Sequence, residues 1–229
     1  METLIERKSM TAIKYILLVL LIVGGCRISV ADETQNRIEK LKESAEKGNP
    51  AAQWALGRRY RNGRGVPKDD KQAAKWFRQA ADQGDAMAQH TLGYMCENGQ
   101  GIPQDYRQAA KLFRLAAVQG HADAQSSLGA MYYQGRGISQ DYRQAAKWYQ
   151  LAANQGHALA QYNLGLMYFY GEGVPRDDVE AQKWFNLSAA QGDKEAIKRR
   201  DTLAQRMTPS QLEKVQALAA EFKPQQGKP

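Results

Sequence analysis

The chain has 229 residues, of which 43% are hydrophobic, and this is enough for one folded unit with a sizeable core. Only two cysteines, Cys26 and Cys96, are present, which excludes an internal disulfide framework. The formal net charge of +8 favours an anionic partner, such as nucleic acid, a membrane surface or an acidic protein.

Residues 1–31 have the parts of a secretory signal. Basic residues precede the uncharged run YILLVLLIV (15–23), and small residues follow it. The run is shorter than the ~20 residues that a membrane span needs. A start at Met10 would give a still more typical signal. Removal of 1–31 takes away four basic and two acidic residues, which lowers the net charge from +8 to +6.

Three outcomes of processing stay open. Ser29 and Ala31 place small residues before a cut ahead of Asp32. The segment preceding Cys26, Val-Gly-Gly, resembles a bacterial lipobox, although valine stands where leucine is usual, and lipidation of Cys26 is the alternative. The third outcome is an uncleaved anchor. We therefore predict an exported protein, periplasmic or secreted, with a lipid-anchored form as the alternative, and we expect no nucleic-acid partner.

The next segment, 32–47, predicts a capping helix ahead of an internal repeat. The repeat itself fills 48–191. Each copy of a glycine-rich corner and the helix after it begins 36 residues after the last: GRGVPKDDKQAAKWF (63–77), GQGIPQDYRQAAKLF (99–113), GRGISQDYRQAAKWY (135–149) and GEGVPRDDVEAQKWF (171–185). Such a period is typical of a solenoid, so the predicted fold is all-α with four helix-pair repeats.

The glycine-rich corner predicts a turn and not a phosphate-binding loop. It recurs four times, follows a helix instead of a strand, and lacks the lysine and hydroxyl of a P-loop. The glycines would end one helix and the proline would stiffen the turn.

The second repeat illustrates the predicted helices. Asp85 would cap a first helix that runs to about Asn98, and Gly93 in its middle indicates close approach of a neighbouring helix. Asp105 would cap the second helix and form a capping box with Gln108. The predicted core residues of this repeat are Ala88, Leu92, Met95, Cys96, Ala109, Leu112, Phe113 and Ala116.

The pattern decays towards the C-terminus. Residues 192–222 predict a degenerate helix pair that closes the stack, with a fresh N-cap at Thr208 and proline at the first helical position. Residues 223–229 predict a disordered tail.

The 36-residue unit resembles the Sel-1-like repeat, a relative of the tetratricopeptide repeat. The pattern that carries the resemblance is G-x-x-x-A-Q-x-x-L-G, then Y-x-x-G-x-G-[VI]-x-x-D, A-x-K-W-[FY] and A-A, in four units over 48–191. The resemblance implies a right-handed superhelix of antiparallel helix pairs. It also implies an adaptor that assembles other proteins, which in bacteria is often exported.

One cysteine-rich branch of that family was described as binding or hydrolysing β-lactams, and its repeats carry a cysteine pair that bridges the two helices. This sequence has no such pair, because Cys96 stands alone where the other repeats have tyrosine. We expect no enzymatic activity. A β-lactam or peptidoglycan-fragment hydrolase and a lipoprotein subunit of an envelope assembly stay as alternatives.

We predict neither a cofactor nor a metal site. His121 and His157 occupy a helix-start position, and His90 has no cysteine or histidine at ligand spacing along the sequence. Cys96 occupies a core position and is expected to be an inert thiol.

The predicted partner-binding surface, here called the groove surface, lies on the first helices. Positions 4, 8, 11 and 15 of each repeat vary, share helical spacing and should face solvent, and the resemblance implies that first helices line the concave groove. The positions are counted from the first glycine of each repeat. Of the predicted residues, Arg58, Tyr94 and Tyr170 occupy these positions, and the others lie nearby: Trp54, His90, Tyr133, Tyr162 and Phe169. The partner is expected to be a protein or peptide, with membrane contact only through lipidated Cys26 or an uncleaved anchor.

Charge is segregated along the repeats. The first repeat, 48–83, carries a net charge of +5, and the fourth, 156–191, carries −2. A basic end could meet an anionic envelope surface or an acidic partner, and a solvated face is the alternative.

Overall fold

A computed structural model describes residues 33–225, and its regular structure there is entirely helical. The predicted signal region, with Cys26, lies outside the described residues. Helix α1 spans 33–46. The others are α2 (Pro50–Asn62), α3 (Asp70–Asp82), α4 (Ala86–Asn98), α5 (Tyr106–Val118), α6 (Ala122–Gln134), α7 (Tyr142–Asn154), α8 (Ala158–Tyr170), α9 (Asp178–Ala190), α10 (Lys194–Ala204) and α11 (Pro209–Glu221).

The helices stack in pairs, which confirms the predicted solenoid. Each of α2–α10 packs against its neighbours in sequence, and α11 folds back onto α9. Helix α1 covers the first repeat, because Ile38 and Ala45 are buried and Leu41 packs against Ala52 and Leu56. Four clusters of buried residues follow the stack, and the partly buried Tyr60, Tyr132 and Tyr168 connect them.

Aspartates cap both helices of the second repeat. The Asp85 carboxylate accepts from the Ala88 amide at 2.7 Å, and the Asp105 carboxylate accepts from the Gln108 amide at 2.9 Å. The predicted capping box was wrong in its second half. The Asp105 amide donates to the Cys96 carbonyl at 2.9 Å, which fastens the start of α5 to the end of α4.

The glycine corners are turns that also pack, as the second repeat shows. Gly99 ends α4 in the left-handed conformation, with φ 67°, and its amide donates to Met95. Gly101 has φ 69°, and a Cβ atom there would overlap the carbonyl of Asp70 at the start of α3. The first glycine therefore reverses the chain, and the second lets the corner touch the preceding repeat.

The predicted core face is buried. In the second repeat all eight predicted core residues are at most 6% exposed. Gly93 lies against Phe113, and a Cβ atom on Gly93 would stand 2.8 Å from the Cδ1 and Cε1 atoms of that ring. The close approach predicted from the mid-helix glycine is thus between the two helices of one repeat.

The C-terminal segment returns towards the third repeat. The Phe222 ring meets Trp184 edge-on at 5.7 Å, and the Gln225 amide donates to the Asn154 carbonyl at 2.8 Å. This hydrogen bond connects Gln225 to the third repeat, and residues 226–229 of the predicted disordered tail lie outside the described residues. Within 33–225 the helices are too short or too polar to cross a bilayer.

Candidate functional site

The register of the repeat decides which first-helix side chains are available to a partner. Alanine, glutamine, leucine and glycine at positions 5, 6, 9 and 10 are buried in every repeat. Positions 4, 8, 11 and 15, which vary between repeats, are all exposed or half-buried, as predicted. The variable positions thus form the solvent-facing side of α2, α4, α6 and α8.

Two of the predicted aromatic residues are freely presented. The side chains of Tyr94 on α4 and Tyr170 on α8 are 45% and 53% exposed. Met87 and Leu159 lie on the same helices and are 45% and 54% exposed. The packing of repeats therefore leaves large side chains exposed on two helices of the groove surface, α4 and α8.

Aromatic residues cluster at the C-terminal end of the groove surface. Phe169 meets Tyr170 edge-on at 5.0 Å, and the Tyr162 ring lies 6.0 Å from that of Phe185. Arg199 of α10 approaches both tyrosines, and hydrogen bonding to Tyr162 is the main cause that raises the pKa of this arginine. This end combines ring faces with a cation.

The N-terminal end of the groove surface is more closed than predicted. Trp54 is half-buried, and the Arg58 guanidinium covers it at 4.7 Å from the ring centroid. The indole Nε1 is buried and has no hydrogen-bond partner among residues 33–225. The exposed Arg58 side chain thus covers one face of the half-buried Trp54 ring.

Tyr133 takes part in a contact between repeats. Its hydroxyl donates to the Glu172 carboxylate at 2.8 Å, and its ring lies 5.2 Å from that of Tyr142. Burial and this hydrogen bond raise the pKa of Tyr133 to about 12. Tyr133 therefore lies where the third repeat meets the glycine corner of the fourth, close enough to Tyr170 for that side chain also to raise its pKa.

His90 belongs to a cluster that sequence spacing did not reveal. Its ring stacks on that of His121 at 4.9 Å, and one ligand atom each of His90, His121 and Asp123 lie within 4.8 Å of one another. The His157 Nε2 atom lies 3.1 Å from the Asp123 carboxylate. The sequence signal was the repeat register itself, because position 7 of one repeat lies beside positions 2 and 4 of the next.

Electrostatic interactions in this cluster perturb two of its members. Burial is the main cause that lowers the pKa of His90 to about 4, and repulsion from His121 adds to it. The hydrogen bond from His157 lowers the pKa of Asp123. The predicted inert thiol is elsewhere: Cys96 is 2% exposed, and burial raises its pKa.

A known family model matches all four repeats of the chain. The family model described as Sel1 repeat matches residues 50–85, 86–121, 122–157 and 158–193. Each match begins where a first helix begins, two residues after the repeat boundary chosen from the glycines. None of the curated proteins compared with the chain matches it.

Two solved structures are similar to this chain. The first is c5321, a protective antigen present in uropathogenic Escherichia coli strains displaying an SLR fold, with 42% identity and a TM-score of 0.72. That match covers 74% of this chain and 36% of c5321, so the chain spans about a third of that relative.

The second is a Sel1 repeat protein from Oxalobacter formigenes, with 36% identity and a TM-score of 0.67 over 76% of this chain and 72% of that one. Four matched repeats, each folded into the same helix pair, show that the chain belongs to the Sel1 repeat family.

Proposed function

We propose that this chain is an exported, non-catalytic scaffold that binds a protein or peptide along the groove surface. The observation that carries the proposal is the exposure of large side chains on the first helices. Tyr94 and Tyr170 expose 45% and 53% of their surface on the helix side that repeat packing leaves open. Tyrosine is enriched among residues that dominate protein interfaces.

The separation of constant, buried positions from variable, solvent-facing positions within the repeat supports a binding role. Positions that are the same in every copy are buried and build the stack, whereas the open positions differ from copy to copy. A surface that varies over a constant framework can bind an extended partner with a different contact in each repeat. Sel1 repeats commonly mediate protein interactions, which agrees with this role.

The export part of the proposal rests on residues 1–31, with their basic start, short apolar run and small residues. The similarity to c5321, a protective antigen, agrees with it. Mass spectrometry of the mature N-terminus tests it. Asp32 as the first residue supports a cleaved exported form, a diacyl adduct on Cys26 supports the lipid-anchored form, and an intact Met1 or Met10 in the cytosolic fraction contradicts export.

The binding part is tested by crosslinking in the native host followed by mass spectrometry. The variant Tyr94→Ala/Tyr170→Ala should lose at least tenfold in recovery of its specific partner. Leu115→Ala/Leu151→Ala is the matched control, because these leucines are 50% and 47% exposed on the second helices. Equal recovery with both variants contradicts binding at the groove surface.

The non-catalytic part is tested with a chromogenic β-lactam. Purified protein should hydrolyse it no faster than buffer. Turnover by the wild-type chain would support the hydrolase alternative instead.

A further inference from the structure

Three imidazoles and a carboxylate from three successive repeats meet on the first helices. His90 comes from α4, His121 and Asp123 from the start of α6, and His157 from the start of α8. One ligand atom each of His90, His121 and Asp123 lie within 4.8 Å of one another. The His157 Nε2 atom stands 3.1 Å from Asp123 Oδ1.

We propose that His90, His121 and Asp123 bind a divalent transition-metal ion of the zinc type, and that His157 orients the Asp123 carboxylate. Two imidazoles and one carboxylate are a common ligand set for such ions, which leaves further positions for water. His90 is also one of the predicted groove-surface residues, but the proposed metal site does not rest on partner binding there.

The distances are close to those that a metal needs. Bonds from zinc to imidazole nitrogen and carboxylate oxygen are about 2.0–2.1 Å long, so two ligand atoms of a tetrahedral ion stand about 3.4 Å apart. A separation of up to 4.8 Å therefore closes when the two side chains approach each other by about 1.4 Å, a shift of about 0.7 Å for each. The Asp123 side chain is 59% exposed, so the ion has an entry path and room for water.

Hydrogen bonding assigns different roles to the two capping histidines. The Nδ1 atom of His157 accepts from the Ala160 amide at 3.1 Å, so the neutral ring carries its proton on Nε2, which faces Asp123. This ring donates to the carboxylate and has no lone pair left for the ion. Such a partner behind a metal-bound carboxylate fixes its orientation.

His121 has to give up its capping bond to bind the ion. Its Nδ1 atom accepts from the Ala124 amide at 3.3 Å. Binding through Nδ1 uses the same lone pair, and binding through Nε2 requires that the proton move from Nε2 to Nδ1. The bond is longer than the usual ~2.9–3.0 Å, so its loss costs little.

Position 7 of a first helix lies beside positions 2 and 4 of the next first helix at four places in the stack. Among residues 33–225, only the place formed by His90, His121 and Asp123 has a histidine, cysteine or carboxylate at all three positions. The equivalent sets are Trp54, Asp85 and Met87; Ser126, His157 and Leu159; and Tyr162, Asp193 and Glu195. The same positions in other repeats supply substitutions that the fold already accepts. His90→Ser copies Ser126, His121→Asn copies the cap Asn49, and Asp123→Ala copies Ala51.

The test is calorimetric titration of Zn²⁺ into the mature chain, purified from its host without a polyhistidine tag. We expect one equivalent to bind, and a loss of at least tenfold in affinity in His90→Ser, His121→Asn and Asp123→Ala. His157→Asn should keep the stoichiometry and weaken binding by about 10–100-fold. Co²⁺ should give a visible absorption spectrum in the wild type that His90→Ser abolishes.

Thermal unfolding without metal separates binding from folding. The variants should unfold within a few degrees of the wild type. Zn²⁺ should raise the Tm of the wild type most, that of His157→Asn less, and those of the three ligand variants least. The absence of saturable Zn²⁺ binding would overturn the proposal. Unchanged binding in a folded His90→Ser or Asp123→Ala variant would overturn it as well.

Discussion

At the scale of single residues, the mid-helix glycine joins the two helices of a repeat. Glycine costs about 1 kcal/mol relative to alanine within a helix. Here that cost allows contact between the helix backbone and a buried ring, which is Phe77, Phe113, Tyr149 or Phe185 in successive repeats. Helix propensity and packing therefore oppose each other at this position, and packing dominates.

This balance predicts that Gly93→Ala destabilises the protein by about 1–3 kcal/mol, despite alanine's better helix propensity. The added Cβ atom would stand 2.8 Å from a fully buried Phe113 ring. Urea denaturation measures the change in the free energy of unfolding. In a Phe113→Leu background the same substitution should cost less. An unchanged or increased stability of Gly93→Ala would contradict the steric explanation.

Burial also sets the reactivity of Cys96. The thiol is 2% exposed, and burial raises its pKa, so the thiolate fraction at neutral pH is below that of a free cysteine. A thiol reagent such as DTNB should label the native mature protein at least a hundredfold more slowly than the protein in denaturant. Rapid labelling under native conditions would show that α4 opens locally.

At the scale of elements, a glutamine ladder sets the spacing between repeats. In the second repeat the Gln89 side chain donates to the Ala81 carbonyl at 3.1 Å and accepts from the Gln119 side chain at 2.8 Å. Gln53, Gln125 and Gln161 make the same pair of bonds. Each glutamine thus links its first helix to the ends of the helices on both sides, which for Gln53 are α1 and α3.

We expect Gln89→Met to destabilise the protein by about 1–3 kcal/mol, because it removes two hydrogen bonds that are each worth about 0.5–1.5 kcal/mol. The Ala81 carbonyl still accepts from the Gly84 amide at 3.0 Å. Gln134→Met, at an exposed position of α6, is the control and should change stability by less than about 0.5 kcal/mol. Equal effects of the two substitutions on the urea midpoint would show that the ladder contributes nothing specific.

At the scale of the whole molecule, stability should follow the linear arrangement of the repeats. Helices α2–α10 pack mainly on their sequence neighbours, so central helices have support on both sides. Hydrogen exchange should be slowest in α5–α7 and faster in α2 and α10. Mass spectrometry of exchanged peptides measures this, and uniform protection from end to end would indicate one all-or-none unit instead.

Much of the fold could be predicted because the features that define each repeat depend on residues close together in the sequence. The glycine corners, the aspartate caps and the apolar stripes act over a few residues, and four copies identify them without any relative. The solvent-facing positions followed from the same comparison, since Tyr94 and Tyr170 vary where the framework does not. The capping box at Asp105 was wrong because its amide hydrogen bonds to Cys96, nine residues earlier in the chain.

The sequence by itself determined the helix-pair solenoid, its period of 36 residues and its buried faces, because these depend on short-range spacing. Only the tertiary structure decided which side chains of different repeats meet: Tyr133 with Glu172, and His90 with His121 and Asp123. The physical reason is that stacking brings together residues about 30 positions apart, and local propensity holds no information at that distance.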